Sequence, residues 1–189
     1  MKRLDQIVLI GTFVGFSWLA MQAVHELGHV LGALAGGGVV EKVVLHPFTI
    51  SRTDVFPNPR PLLEVWAGPV VGAVLPLLAF LVASAISSAG LYLFRFFAGF
   101  CLIANGVYIG GGSFQGLADA GVMLLHGSSQ WHLLLFGALT APLGLYLWNG
   151  LGPAFGLGPA KGAVSRAASI TSFVLFAVIV AIEVTIGSR

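Results

Sequence analysis

Residues 7–38 read IVLIGTFVGFSWLAMQAVHELGHVLGALAGGG, an apolar stretch that contains two histidines and one glutamate. A helix needs about 20 apolar residues to cross a hydrocarbon core of ~30 Å, and this stretch is long enough. The three glycines at its end are a strong helix breaker. The stretch therefore predicts a first membrane helix over residues 7–35, with ionisable side chains inside an otherwise apolar segment.

The whole chain has the composition of a membrane protein. Of its 189 residues, 57% are hydrophobic and 8% are charged, and the mean hydropathy is +0.97. A soluble domain of this length could not bury so much apolar surface. We therefore expect one membrane-embedded domain over residues 1–189, all-α and polytopic, with the lipid bilayer around it. The net charge of +2 comes from scattered basic residues, which argues against nucleic acid as a partner.

Further uncharged runs predict helices over residues 62–87, 91–109, 131–148 and 168–186. A glycine-rich stretch at residues 110–127 interrupts the pattern and could count as one more span, so five to six transmembrane helices are expected. The core of the domain is predicted over residues 7–127, and the helices at 131–148 and 168–186 are additions to it. Between the first two helices, residues 39–61 combine Val, Thr and Ile with four prolines, which predicts a short β-hairpin or a re-entrant loop.

The residues His25-Glu26-Leu27-Gly28-His29 match the pattern H-E-x-x-H. Positions i and i+4 of a helix share one face, so the two imidazoles can bind one metal ion together. Zinc suits such ligands, and a catalytic zinc keeps one position open for water. Glu26 is rotated about 100° from His25, where it can take a proton from that water without being a ligand. Gly28 and Gly32 are expected to let another backbone approach this face closely.

A catalytic zinc site needs a third protein ligand beside the two histidines. Asp119 is favoured because it is the only acidic residue between Arg95 and Glu183 and lies in the glycine-interrupted stretch. Irregular backbone at membrane depth is tolerated only where it lines a cavity or packs against protein. The alternative for Asp119 is an N-cap of the helix that follows it. Other candidates for the third ligand are His46, Asp54, Glu64, His126, His132 and Glu183.

Two of these candidates have simpler interpretations. Arg60 precedes Glu64 by four residues, and this spacing favours a local ion pair. His46 lies in the predicted hairpin, where we expect it at the surface or on the substrate side of the site.

Three stretches in this order resemble the site-2 protease family of intramembrane zinc metalloproteases: HELGH, then WAGPVVGAVLP (residues 66–76), then GLADAGVML (residues 116–124). The resemblance covers roughly residues 10–125. Within the family, the chain resembles a compact, minimal branch without regulatory domains. The resemblance implies one zinc ion bound by His25, His29 and Asp119, with Glu26 as the general base. It also implies membrane-spanning protein substrates and an integral, multi-pass protein of a bacterial-type plasma membrane.

The second family motif differs in this chain. The family places an Asn and a Pro ahead of an Asp-Gly pair, whereas here Asp119 is followed by Ala120 and no proline precedes it closely. Asn105 is the nearest asparagine upstream and, with His46, is the candidate for positioning the substrate. An extended substrate segment could add to a strand edge in the predicted hairpin. A plain amphipathic hairpin that covers the site is an equal alternative.

The leading hypothesis from the sequence is hydrolysis of peptide bonds in membrane-spanning substrates by metal-activated water. One alternative is a catalytically inactive scaffold or pseudoprotease with the same fold. Another is a zinc hydrolase that acts on a lipid or a small amide. A di-iron membrane oxidase is disfavoured, because five histidines at these spacings do not supply its histidine clusters.

Overall fold

Helices make up most of the chain, and their bounds follow the long apolar runs of the sequence. The computed structural model describes residues 2–86 and 90–187. The helices are α1 (Lys2–Gly36), α2 (Pro61–Ala85), α3 (Leu91–Gly112), α4 (Ala118–Leu125), α5 (Gln130–Trp148) and α6 (Arg166–Gly187). The strands are β1 (Val40–Val44) and β2 (Arg52–Val55), and two short 3₁₀ turns, Gly152–Phe155 and Gly158–Ala160, join α5 to α6.

Within the described ranges, five of the helices are long and apolar enough to cross a membrane: α1, α2, α3, α5 and α6. The predicted all-α, polytopic fold is therefore confirmed. The possible sixth span at residues 110–127 is instead the end of α3, a turn and the eight-residue α4, which is too short to cross. The predicted end of the second helix at residue 87 lies outside the described residues.

The hairpin predicted after the first helix is present. Strands β1 and β2 pair antiparallel, with Val43 opposite Thr53 and Val44 opposite Arg52. Its base is tied to the end of α1, because Gly38 donates a backbone hydrogen bond to Ala33 and the chain turns there at glycine. The hairpin is thus fixed directly after the helix that carries the histidine motif.

Close contact between α1 and α2 depends on small residues. A Cβ atom at Gly32 would lie 2.6 Å from the Cβ of Ala67, and one at Gly28 would clash with the carbonyl oxygen of Ala67. In lipid, where apolar side chains gain nothing by leaving water, such close backbone packing is a main source of helix association. The expectation that Gly28 and Gly32 allow close approach is therefore confirmed, and the approaching element is α2.

The remaining helices pack around this pair. Helix α3 lies between α2 and α5, and α6 packs alongside α1, where the Ser169 hydroxyl donates to the carbonyl oxygen of Asp5 over 2.8 Å. The short helix α4 contacts α2 and α3. A buried apolar cluster holds α4 in place: Val65, Ile109, Ala120, Met123 and Leu133.

Candidate metal centre

His25 and His29 lie one turn apart on α1 and point to the same place. Both are buried, with 7% and 5% of their surface exposed, and their Nε2 atoms are 3.0 Å apart. The ring of His29 is packed against the backbone of α2, and a Cβ at Gly68 would clash with its Nε2 atom. The glycine in α2 thus makes room for the second histidine.

Asp119 comes to the histidines from the first turn of α4. Its Oδ2 atom lies 2.9 Å from Nε2 of His25 and 3.3 Å from Nε2 of His29. Among the described residues, His25, His29 and Asp119 are the group that could hold a metal ion. The structure therefore brings together the three residues that the sequence predicts as ligands.

Nδ1 of each imidazole is also hydrogen-bonded, and these bonds fix the orientation of the two rings. Nδ1 of His25 lies 2.6 Å from Oδ1 of Asn105. The amide of Asn105 is oriented by a second bond, in which its Nδ2 donates to the carbonyl oxygen of Cys101 over 2.9 Å. Since Oδ1 can only accept, Nδ1 of His25 carries a proton, and Nε2 is the nitrogen that a metal would bind once it is deprotonated.

His29 is held in the same way by Glu64. Its Nδ1 lies 2.8 Å from the carboxylate Oε1 and 3.2 Å from the backbone oxygen of the same residue. The predicted ion pair of Glu64 with Arg60 is wrong. Glu64 is buried on the side of α2 that faces α1, where His29 is within reach, and Asn58 supplies a further bond to its Oε2 atom at 3.4 Å.

Glu26 lies beside the ligand group without belonging to it. Only 4% of its surface is exposed. The hydroxyl of Thr53, on strand β2, donates a hydrogen bond of 2.7 Å to its Oε2 atom. Oε1 has no such bond to Thr53, so the carboxylate has one oxygen anchored and the other available.

The charge state of Asp119 suits a metal ligand. Burial by itself would raise the pKa of this carboxyl, but hydrogen bonds from His25 and His29 outweigh burial and hold the pKa well below its usual range. Asp119 is therefore an anion in this environment, and metal ligands must be deprotonated.

The two residues predicted to position the substrate lie in different places. Asn105 is buried in α3 against His25, and its predicted contact with substrate stays a prediction. His46 lies in the turn between β1 and β2, where its Nδ1 accepts the backbone N–H of Phe48 over 3.2 Å. Its predicted role in substrate positioning likewise stays a prediction.

Sequence reasoning missed Thr53 and Tyr108, and it named Glu64 without its bond to His29. The ring of Tyr108 packs edge-on to that of His25, with centroids 5.7 Å apart. Glu64 had a usable signal, because an acid in the first turn of an apolar span needs a partner. The sequence holds no comparable signal for Thr53 or Tyr108, since both are ordinary residues for a strand and a membrane helix.

Comparison of the chain with protein-family models, with curated proteins and with solved structures found no match.

Proposed function

We propose that the chain is an intramembrane zinc metalloprotease, similar to the site-2 protease family, that hydrolyses peptide bonds of membrane-spanning proteins. The observation that carries the proposal is the triangle of Nε2 of His25, Nε2 of His29 and Oδ2 of Asp119, with Glu26 beside it. Its edges measure 2.9, 3.0 and 3.3 Å.

The triangle supports zinc as the metal. Ligand atoms at about 2.0–2.2 Å from a tetrahedral zinc are about 3.3 Å apart, so the three atoms match one face of that tetrahedron to within a few tenths of an ångström. Two imidazoles and a carboxylate are also a catalytic zinc set, which leaves a fourth position open. Each histidine donates a hydrogen bond from Nδ1 to an oxygen acceptor, as zinc-binding histidines usually do.

The residues of the chain divide the chemistry between them. When bound, the metal polarises a carbonyl and makes a coordinated water acidic near neutral pH. Glu26 accepts a proton from the attacking water and passes it to the leaving amine, which its free Oε1 atom allows. His25, His29 and Asp119 fix the geometry, and Asn105 and Glu64 hold the two imidazoles in place.

The position of the site supports a membrane-embedded substrate. His29 precedes the end of α1 by seven residues and Asn105 precedes the end of α3 by seven, which places the centre about 10 Å below these helix ends. These helices are long and apolar enough to cross a membrane. A peptide bond within a membrane-spanning substrate therefore lies at the same depth as the site, whereas a soluble substrate would have to enter the bilayer. Placement in a bacterial-type plasma membrane stays a prediction.

The proposal is tested with purified wild type, Glu26→Gln and His25→Ala. We expect Glu26→Gln to keep its zinc and lose cleavage of single-span substrates, and His25→Ala to lose both. His132→Ala is a matched control, because His132 is exposed at the start of α5. Cleavage by Glu26→Gln at the wild-type rate would overturn the mechanism.

The same preparations separate the alternatives. A pseudoprotease would bind zinc and cleave nothing in the wild-type form. A hydrolase of lipids or small amides would leave the single-span substrates intact but release product from those compounds, and would lose that activity in Glu26→Gln.

A further inference from the structure

Strand β2 alternates between an outer face and a face that looks toward α1. Arg52 and Asp54 are on the outer face, where they form an exposed ion pair over 3.2 Å. Thr53 between them points the other way, as neighbours in a strand do. Its hydroxyl reaches the carboxylate of Glu26 over 2.7 Å.

We propose that Thr53 is a positioning residue for Glu26, so that the hairpin is part of the active site. The catalytic consequence of this inference rests on the proposed function, whereas the hydrogen bond between Thr53 and Glu26 is independent of it. A carboxylate can rotate about its last bond, and its two oxygens are otherwise equivalent. A hydrogen bond to Oε2 removes that freedom and leaves Oε1 as the oxygen that can accept a proton.

The register of the hairpin makes the contact specific. Thr53 pairs with Val43 and Asp54 pairs with Lys42, while an irregularity between Val40 and Lys42 absorbs one residue of β1. A slip of β2 by one residue would turn Thr53 outward and, in one of the two directions, place Asp54 against Glu26. Two carboxylates would then meet in a buried site, which is strongly unfavourable.

The segment that follows the hairpin has a contact with the centre that fits the same role. The side chain of Asn58, shortly after β2, donates to Glu64, and Glu64 holds His29. The segment that contains β2 is therefore joined to the general base at one end and to a ligand-holding residue at the other.

The catalytic test compares Thr53→Val, which removes the hydroxyl but keeps the shape, with Thr53→Ser, which keeps the hydroxyl. Loss of a hydrogen bond to a charged group corresponds to a fall in kcat of roughly ten-fold or more. We expect this fall in Thr53→Val, with unchanged KM and zinc content, and recovery in Thr53→Ser. Thr49→Val is the matched control, because Thr49 is exposed in the turn of the same hairpin. Equal activity of Thr53→Val and wild type would overturn the proposal.

A second measurement does not depend on activity. Amide hydrogen exchange of residues 52–55 is compared in zinc-loaded wild type, Thr53→Val, Glu26→Leu and the double variant. If Thr53 holds Glu26, each single variant should exchange several-fold faster and the double variant no faster than either single one. Independent, multiplying effects would show that the two side chains are not coupled and would overturn the proposal. If wild type cleaved no substrate, the proposed function would fail, and this exchange cycle would still decide the contact.

Discussion

Asn105 and His25 are 80 positions apart in the chain, yet their side chains are 2.6 Å apart in a buried site. At the scale of single residues, the centre consists of three ligand atoms and the groups that hold them. Asn105 accepts a hydrogen bond from His25 through its amide oxygen, and Glu64 accepts one from His29 through its carboxylate. The orientation of the Nε2 atoms of both histidines therefore depends on residues outside the group that could hold a metal ion.

Replacement of Asn105 tests this dependence. Asn105→Leu keeps the size but removes the acceptor for His25, so zinc affinity should fall by about 10–100-fold, as is typical for partners of metal-binding histidines. The measurement is competition for zinc with a chelator of known affinity. Asn149→Leu, at an exposed asparagine beyond α5, should bind zinc like wild type. Unchanged affinity of Asn105→Leu would mean that His25 is oriented by its helix alone.

Glu64 gives a second, independent prediction. Glu64→Leu should weaken zinc binding more than Glu64→Gln, because Gln retains a neutral side-chain acceptor for His29 whereas Leu leaves only the backbone oxygen of residue 64. The same chelator competition measures both. Glu41→Leu on the exposed part of β1 is the control. If the two Glu64 variants were equal to each other and to wild type, the bond to His29 would contribute nothing to the site.

At the scale of elements, the site depends on how closely α2 approaches α1. Helix α1 is 35 residues long, about 52 Å, and so exceeds the ~30 Å hydrocarbon core. It must tilt or extend beyond the bilayer. Gly32 and Ala67 set its distance from α2, which carries both Gly68 and Glu64 to His29.

Gly32→Leu should disrupt this packing. The added side chain has no room beside Ala67 and Glu64, and overpacking of this kind typically costs about 1–3 kcal/mol of stability. We expect a lower midpoint of thermal unfolding in detergent, together with weaker zinc binding. Gly11→Leu, in the same helix, is the matched control, because a Cβ at Gly11 meets nothing within 4 Å. Equal midpoints for the two variants would contradict a packing role for Gly32.

At the scale of the whole molecule, the ligand set joins α1 to α4 across 90 positions of sequence. A metal bound there acts as a cross-link between distant elements and stabilises the folded state by mass action. Helix α4 is only eight residues long and is held otherwise by Ala120 and Met123 in the buried cluster. It should be the element that depends most on the metal.

Removal of the metal should therefore lower the stability of the fold. At a free zinc concentration of 100 times Kd, bound zinc stabilises by about 2.7 kcal/mol. We expect a chelator to lower the unfolding midpoint of wild type, and to have much less effect on Asp119→Ala, which should bind zinc more weakly. Asp54→Ala, at an acid on the outer face of β2, should respond to the chelator like wild type. A full response in Asp119→Ala would assign the third ligand to another residue.

The sequence by itself determined the five long spans, the break after the first helix and the pair of histidines with Glu26, while it left open a sixth span and a choice between a hairpin and a re-entrant loop. These features are local, because the length of an apolar run is compared directly with the thickness of a bilayer and the i, i+4 spacing is fixed by the helix. For Asp119 the sequence offered a preference among several candidates, and for Glu64 it favoured the wrong partner. Only the tertiary structure brought Asp119, Asn105, Glu64 and Thr53 to the histidines. The physical reason is that contacts across 27 to 94 positions depend on how helices and strands pack, and local spacing contains no information on that packing.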